Sequence, residues 1–250
     1  MNTTSDLTGQ VALITGAAHR IGAEIARTLH AQGMNIALHY RNSKTPAQAL
    51  AAALNAQRAN SVVTHQADLL ATDDLPRLVD AALAPWGRLD ALINNASSFF
   101  PTPLGEVTEA HWADLMGSNL KAPFFLTQAA MPHLRRTNGC VVNIVDIHAH
   151  NPLKNYPVYS IAKAGLAMLT KTLARELGPQ IRVNGVAPGA ILWPEQAMSD
   201  DDKAAIIDRI ALKRSGEPAD IANAVLFMIR DAGYVSGHIL NVDGGRALSQ

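Results

Sequence analysis

The fold turns on residues 11–22, Val11-Ala12-Leu13-Ile14-Thr15-Gly16-Ala17-Ala18-His19-Arg20-Ile21-Gly22. Four apolar residues run straight into a glycine-bearing turn, and behind it Ile21–Gln32 carries the spacing of an amphipathic helix. A strand, a tight glycine turn and a helix in that order make the setting a nucleotide-binding loop needs. Glycine lets the backbone approach phosphates, and a helix amino terminus offers N–H donors and a positive dipole end to a pyrophosphate. Gly16, His19, Arg20 and Ile21 are therefore candidate cofactor contacts, with Arg20 also able to reach a substrate carbonyl. A purely structural turn is the alternative.

Outward from this loop, short apolar runs alternate with longer periodic ones. Val11–Thr15, Asn35–His39, Ser61–His65, Ala91–Asn94, Val141–Val145, Arg182–Val186 and His238–Val242 read as strands. Between them Ile21–Gln32, Ala47–Ala59, Asp74–Ala84, Glu109–Arg136 (two helices or one bent), Tyr156–Gly178 and Ala219–Ile229 read as helices. The repeated β-α unit predicts a Rossmann-type, doubly wound parallel α/β sheet of about seven strands with helices on both faces. No linker divides the 250 residues, so one domain is expected. Residues 190–211 break the rhythm and read either as a lid over the substrate or as a surface excursion.

Formal net charge is zero and 48% of residues are hydrophobic, so neither nucleic acid nor a membrane is an expected partner, and a small molecule is. No signal-peptide pattern precedes Val11, which predicts a cytoplasmic protein. Cys140 is the single cysteine and reads as a buried strand residue; the nine histidines show no metal-ligand spacing, so no metal is expected.

The end of the second strand speaks to cofactor choice. No Asp or Glu occurs from Ile25 to Ala67, so the carboxylate that would take an NAD ribose hydroxyl is missing. Tyr40, Arg41, Asn42 and Ser43 stand there instead, and Arg41 with Ser43 suits a 2′-phosphate, which favours NADPH. Asp68, with Leu69 beside it, closes the third strand and is placed either to meet adenine or to cap the next helix.

Tyr159 and Lys163 stand four apart at the start of an Ala/Leu-rich helix, which puts both on one face. A lysine ammonium beside a phenol is expected to lower the phenol pKa and make it a usable acid or base. Spacing alone decides nothing, since Tyr40 and Lys44 stand four apart as well, with no helical pattern around them.

Together, Thr15–Gly22, Asn94-Asn95-Ala96, Asn119, Tyr159/Lys163, Pro188-Gly189 and Asp243-Gly244-Gly245 resemble the short-chain dehydrogenase/reductase family over essentially the whole chain. The resemblance implies hydride transfer from a nicotinamide, Tyr159 as proton donor, Lys163 on the nicotinamide ribose, Asn119 holding a proton-relay water, and a homotetramer. It also implies cofactor contacts from Asn95, Ala96, Ser97, Pro188 and Gly189. Thirteen residues before Tyr159, where the common pattern has a serine that polarises a carbonyl, this chain has Asp146. A carboxylate there repels a developing oxyanion and suits a substrate that presents N–H donors.

Asp146, His39–Ser43 and the run Asn94 to Leu104 look like the pteridine reductase branch. That likeness implies NADPH-dependent reduction of dihydropterins or dihydrofolate. The ring would lie between nicotinamide and Phe99, Arg20 and Ser97 would hydrogen-bond it, and Trp193 would touch it from the lid. A carbonyl reductase of 3-oxoacyl, sugar or quinone substrates is the enzymatic alternative, and an NADP-sensing module the non-enzymatic one.

Overall fold

The strands Val11–Ile14 (β1), Asn35–Tyr40 (β2), Val62–Gln66 (β3), Ala91–Asn94 (β4), Cys140–Ile144 (β5), Arg182–Pro188 (β6) and Ile239–Val242 (β7) pair in parallel throughout. Their order is β3-β2-β1-β4-β5-β6-β7 in this computed structural model, which describes residues 6–192 and 199–248. The helices are Arg20–Ala31 (α1), Lys44–Gln57 (α2), Leu75–Leu83 (α3), Glu109–Met116 (α4), Ala122–Thr137 (α5), Pro157–Leu177 (α6), Asp200–Asp208 (α7) and Pro218–Arg230 (α8).

Both faces of the sheet are covered because successive strand side chains point opposite ways. Ala12 and Ile14 join a cluster with Ile25 and Leu29 of α1, Leu50 of α2 and Val225 of α8. Val11 and Leu13 join another with Leu78 of α3 and Leu126 and Leu134 of α5. This explains why the central strands read as continuous apolar runs instead of alternating ones. Each fully buried side chain of this size contributes roughly 1.5–3 kcal/mol. The chain leaves β1 toward β2 on one side and returns to β4 on the other, so a crevice opens above the carboxyl ends of β1 and β4.

One segment resolves the alternative left by the sequence, and two differ from the expectation. The stretch 109–136 is α4 and α5 joined by a π-helical segment, Gly117–Lys121, with Asn119 inside it. Lys44 opens α2, whose first turn accommodates Pro46, so the region after Tyr40 is more helical than its pattern suggests. Tyr40 itself ends β2, and the pair still shares no helix face. Finally, Asp200, Asp201 and Asp202 form the first turn of α7, where the Ser199 hydroxyl accepts from the Asp202 amide at 3.1 Å. Acidic residues are favoured at that end of a helix dipole. Within the proposed lid, α7 buries none of its residues, whereas Ile210 is buried and the Leu212 amide donates to the Gly244 carbonyl at 3.1 Å. Trp193 lies outside the described residues.

Candidate active site

Above β1 the turn is built by small polar groups that satisfy one another. Thr15 Oγ1 accepts from the amides of Asn95 (2.9 Å) and Ala96 (3.0 Å), and Asn95 Nδ2 donates back to the carbonyls of Thr15 and Gly16. Gly16 adopts φ 61°, and a Cβ there would stand 2.9 Å from the Ala96 Cα. At Gly22 a Cβ would collide with the Gly16 carbonyl oxygen, so α1 starts as close to the strand ends as glycine allows. His19 precedes α1 and Arg20 opens it at φ 52°. A helix start pressed against the sheet at the switch point fits the diphosphate of a nicotinamide dinucleotide.

At the end of β2, Arg41 and Asn42 are exposed and Ser43 shares a 2.7 Å hydrogen bond with His19 Nε2. Tyr40 and Leu69 send their side chains into the core, leaving only backbone to a ligand there. Asp68 Oδ1 accepts from the Leu70 amide at 3.0 Å, a local turn contact that leaves its second oxygen unused by that bond. Pro188 ends β6 and the Gly189 amide donates to the Val242 carbonyl, which fixes this corner against β7.

Across the crevice, α6 starts at Pro157 and presents Tyr159 and Lys163 one turn apart, both buried. Lys163 Nζ donates to the Ile144 carbonyl at 2.9 Å and stands 5.6 Å from the centre of the Tyr159 ring. The Tyr159 hydroxyl donates to Asp146 Oδ2 at 2.7 Å, and Asp146 Oδ1 accepts from the His148 amide at 2.8 Å. One carboxylate thus caps the 3-10 turn Ile147–Ala149 and holds the phenol.

The electrostatics correct the expectation that Lys163 lowers the phenol pKa. Tyr159 is pushed well above the ordinary phenol value, first by burial, then by the Asp146 charge and the hydrogen bond to it. Lys163 is itself lowered to about 8 by burial, partly opposed by Asp146. The carboxylate lies in direct contact with the phenol while the ammonium is spent on a carbonyl, so the negative neighbour wins.

Asn119 Nδ2 donates to the carbonyls of Ser98 and Leu115, each at 3.0 Å, and its Oδ1 accepts from the Ser97 hydroxyl at 2.7 Å. The π-helical segment therefore brings Asn119 to the loop after β4 that carries Ser97 and Phe99. Phe99 is 49% exposed, stacks on Tyr156 (4.7 Å between centroids, 13° between planes) and meets Tyr159 edge-on at 4.8 Å. Tyr156 was missing from the sequence-derived residues, as were Thr15 and His39. Tyr156 sits at the amino-terminal cap of α6, three residues before Tyr159, and that adjacency was its one visible signal.

Arg246 is half-buried in the Arg246–Leu248 turn, where burial lowers its pKa, partly opposed by the Asp146 charge. Asp243 secures that turn by accepting from the Gly245 and Ala247 amides. Cys140 is buried in β5, and burial raises its thiol to about 11, which suits a packing role. Among the described residues no cluster of three or more His, Cys, Asp or Glu could hold a metal, and no helix is long and apolar enough to cross a membrane.

Residues 16–247 match the family model described as enoyl-(acyl carrier protein) reductase. The chain is 38% identical to pteridine reductase 1 of Leishmania tarentolae over 290 aligned positions, covering 99% of each protein. It is 37% identical to a 3-oxoacyl-acyl-carrier-protein reductase of Staphylococcus epidermidis, covering 94% of this chain and 97% of that one. A Staphylococcus aureus reductase of the same name is 36% identical, covering 94% and 96%. With a seven-stranded parallel sheet, a glycine turn at its switch point and a Tyr159/Lys163 pair facing it, the chain is an oxidoreductase that belongs to the short-chain dehydrogenase/reductase family.

Proposed function

We propose that this protein reduces dihydropterins or dihydrofolate to the tetrahydro form with NADPH. The observation that carries the proposal is the 2.7 Å hydrogen bond from the Tyr159 hydroxyl to Asp146, at the place where a carbonyl reductase needs a donor. A carboxylate beside the proton-carrying phenol disfavours a developing oxyanion and favours a ring that presents amino and N–H groups. Exposed Phe99 adds an aromatic face, and full-length likeness to a pteridine reductase supports the same substrate class. For the cofactor, Arg41 and Ser43 at a β2 end lacking any carboxylate support NADPH.

When bound, the reduced nicotinamide supplies the hydride, which goes to a ring carbon while a proton goes to the adjacent ring nitrogen. The raised phenol pKa keeps Tyr159 protonated until the developing basicity of the ring nitrogen draws the proton away. Asp146 orients that hydroxyl, and the Lys163 ammonium offsets the negative charge left as the proton departs. Ser97, tethered to Asn119, offers its oxygen to the substrate ring.

A second reading, reduction of 3-oxoacyl thioesters, is favoured by the Staphylococcus relatives at nearly the same identity. NADPH oxidation measured side by side with dihydrobiopterin, dihydrofolate, an acetoacetyl thioester and a quinone separates the two. Fastest turnover on a dihydropterin or dihydrofolate is expected. Faster turnover on the thioester or quinone would overturn the proposal, and absence of turnover with all four would favour an NADP-sensing role.

A further inference from the structure

His39 lies near the carboxyl end of β2, 1% exposed, between the strands that carry the glycine turn and Asp68. Its Nδ1 accepts from the Gly16 amide at 3.2 Å, and its own carbonyl accepts from the Ala17 amide at 2.9 Å. Its Nε2 faces the Ala67 carbonyl at 3.1 Å, which only an N–H can satisfy, so the Nε2–H tautomer is required. One residue therefore ties together the ends of β1, β2 and β3. It also consumes the first two amides of the glycine turn, Gly16 and Ala17. A diphosphate is left to the amides at the start of α1, which have no acceptor inside the helix.

From this geometry we infer that His39 is a positioning residue for the dinucleotide: its neutral ring, accepting from Gly16 and donating to Ala67, sets the height of the glycine turn and aims the amides of α1 at the diphosphate. Burial lowers the ring pKa to about 4, opposed by the hydrogen bond to Ala67, so the neutral ring persists at physiological pH. A protonated ring would present Nδ1–H to the Gly16 amide, donor against donor, and push the turn away. The inference rests on the reading of this crevice as a nicotinamide dinucleotide site and is independent of which substrate is reduced.

Two partial isosteres separate the contacts. In His39→Asn the side-chain oxygen takes the place of Nδ1 and keeps the Gly16 contact; in His39→Gln the amide nitrogen takes the place of Nε2 and keeps the Ala67 contact. NADPH affinity by fluorescence titration should fall about tenfold in His39→Gln, the usual scale for one lost internal hydrogen bond, and within about twofold in His39→Asn. At saturating NADPH, kcat should stay within about twofold in both. Equal affinities in the two variants, or a His39→Gln protein that binds as tightly as the parent, would overturn the inference even though the parent binds NADPH. A parent that binds neither NADPH nor NADH would instead overturn the dinucleotide reading. Nitrogen NMR of the imidazole in the unsubstituted protein needs no variant to fold: an Nε2–H tautomer at neutral pH is expected, and an Nδ1–H tautomer or an imidazolium would overturn the inference.

Discussion

The two walls of the crevice hold their side chains by different physics. Over β1, β2 and β3 the working parts are neutral: Thr15, Asn95 and the His39 ring satisfy one another and the turn backbone. Over β5 and α6 they are ionisable: Tyr159 and Lys163 are crowded against Asp146, with the Tyr159 and Lys163 equilibria displaced first by burial and then adjusted by the Asp146 charge. The first wall fixes shape, because a network of satisfied neutral bonds has one good arrangement. The second stores proton affinity, because every charge there is costly to change. Substitutions on the ionisable wall should therefore reduce rate, and substitutions on the neutral wall should reduce binding.

The largest effect expected from that contrast is at Tyr159. Tyr159→Phe keeps the ring packing against Phe99 and removes the proton. Turnover on the best substrate should fall about 10²–10⁴-fold with NADPH affinity nearly intact, and an enzyme that turns over normally would break the distinction between the walls. Next is Asp146→Ser, expected to lose dihydropterin reduction by one to about three orders of magnitude, as removal of a proton-transfer partner does. Because Asp146 Oδ1 also caps the turn after β5, melting temperature has to be read on the same preparation. Lower stability with unchanged kinetics would reduce its role to the cap.

Arg41→Asp lies at the exposed rim of the first wall, outside its neutral network, and should spare kcat at saturation while weakening NADPH roughly tenfold to a hundredfold more than NADH, the scale of one charge-assisted phosphate contact. Equal NADH and NADPH affinity in the parent would defeat that assignment.

The smallest effect is a pH profile. Burial lowers Lys163 to about 8, so a step that needs its ammonium should decline about fivefold between pH 8 and 9. A profile flat to pH 10 would remove Lys163 from the ionisable wall. Folding stability should move the other way: the folded pKa lies below the ordinary 10.5, so the contribution is complete above 10.5 and lost as pH falls through about 8.

The strand positions, the glycine turn and the Tyr159/Lys163 face were legible in the sequence because each depends on local patterns: an apolar run, a glycine, a four-residue spacing. Less could be read where a contact joins distant segments. Nothing near His39 shows that its ring reaches Gly16, 23 positions away, and nothing near Asn119 shows that it meets Ser97 across 22 positions. The phenol pKa was misread for a related reason. Spacing along α6 makes Lys163 visible as a neighbour, while the burial that raises the phenol most, and the Asp146 carboxylate that arrives from the end of β5 and adds to it, come from the tertiary fold. Sequence also hid the helical character of Asp200–Asp208, because a surface helix with no buried residue leaves no hydrophobic period to find.

The join between α4 and α5 has a consequence for how this site can change over generations. Gly117–Lys121 runs as a π-helix, which amounts to one residue in excess of an α-helical path. Deleting a single residue there would let the two helices fuse into one α-helical path and remove the widened turn that holds Asn119. Asn119 would then lose its alignment with Ser97 and Ser98 though no functional side chain had been altered. The segment behaves as a reading frame written in backbone: tolerant of many exchanges of side chain, and intolerant of a change in count.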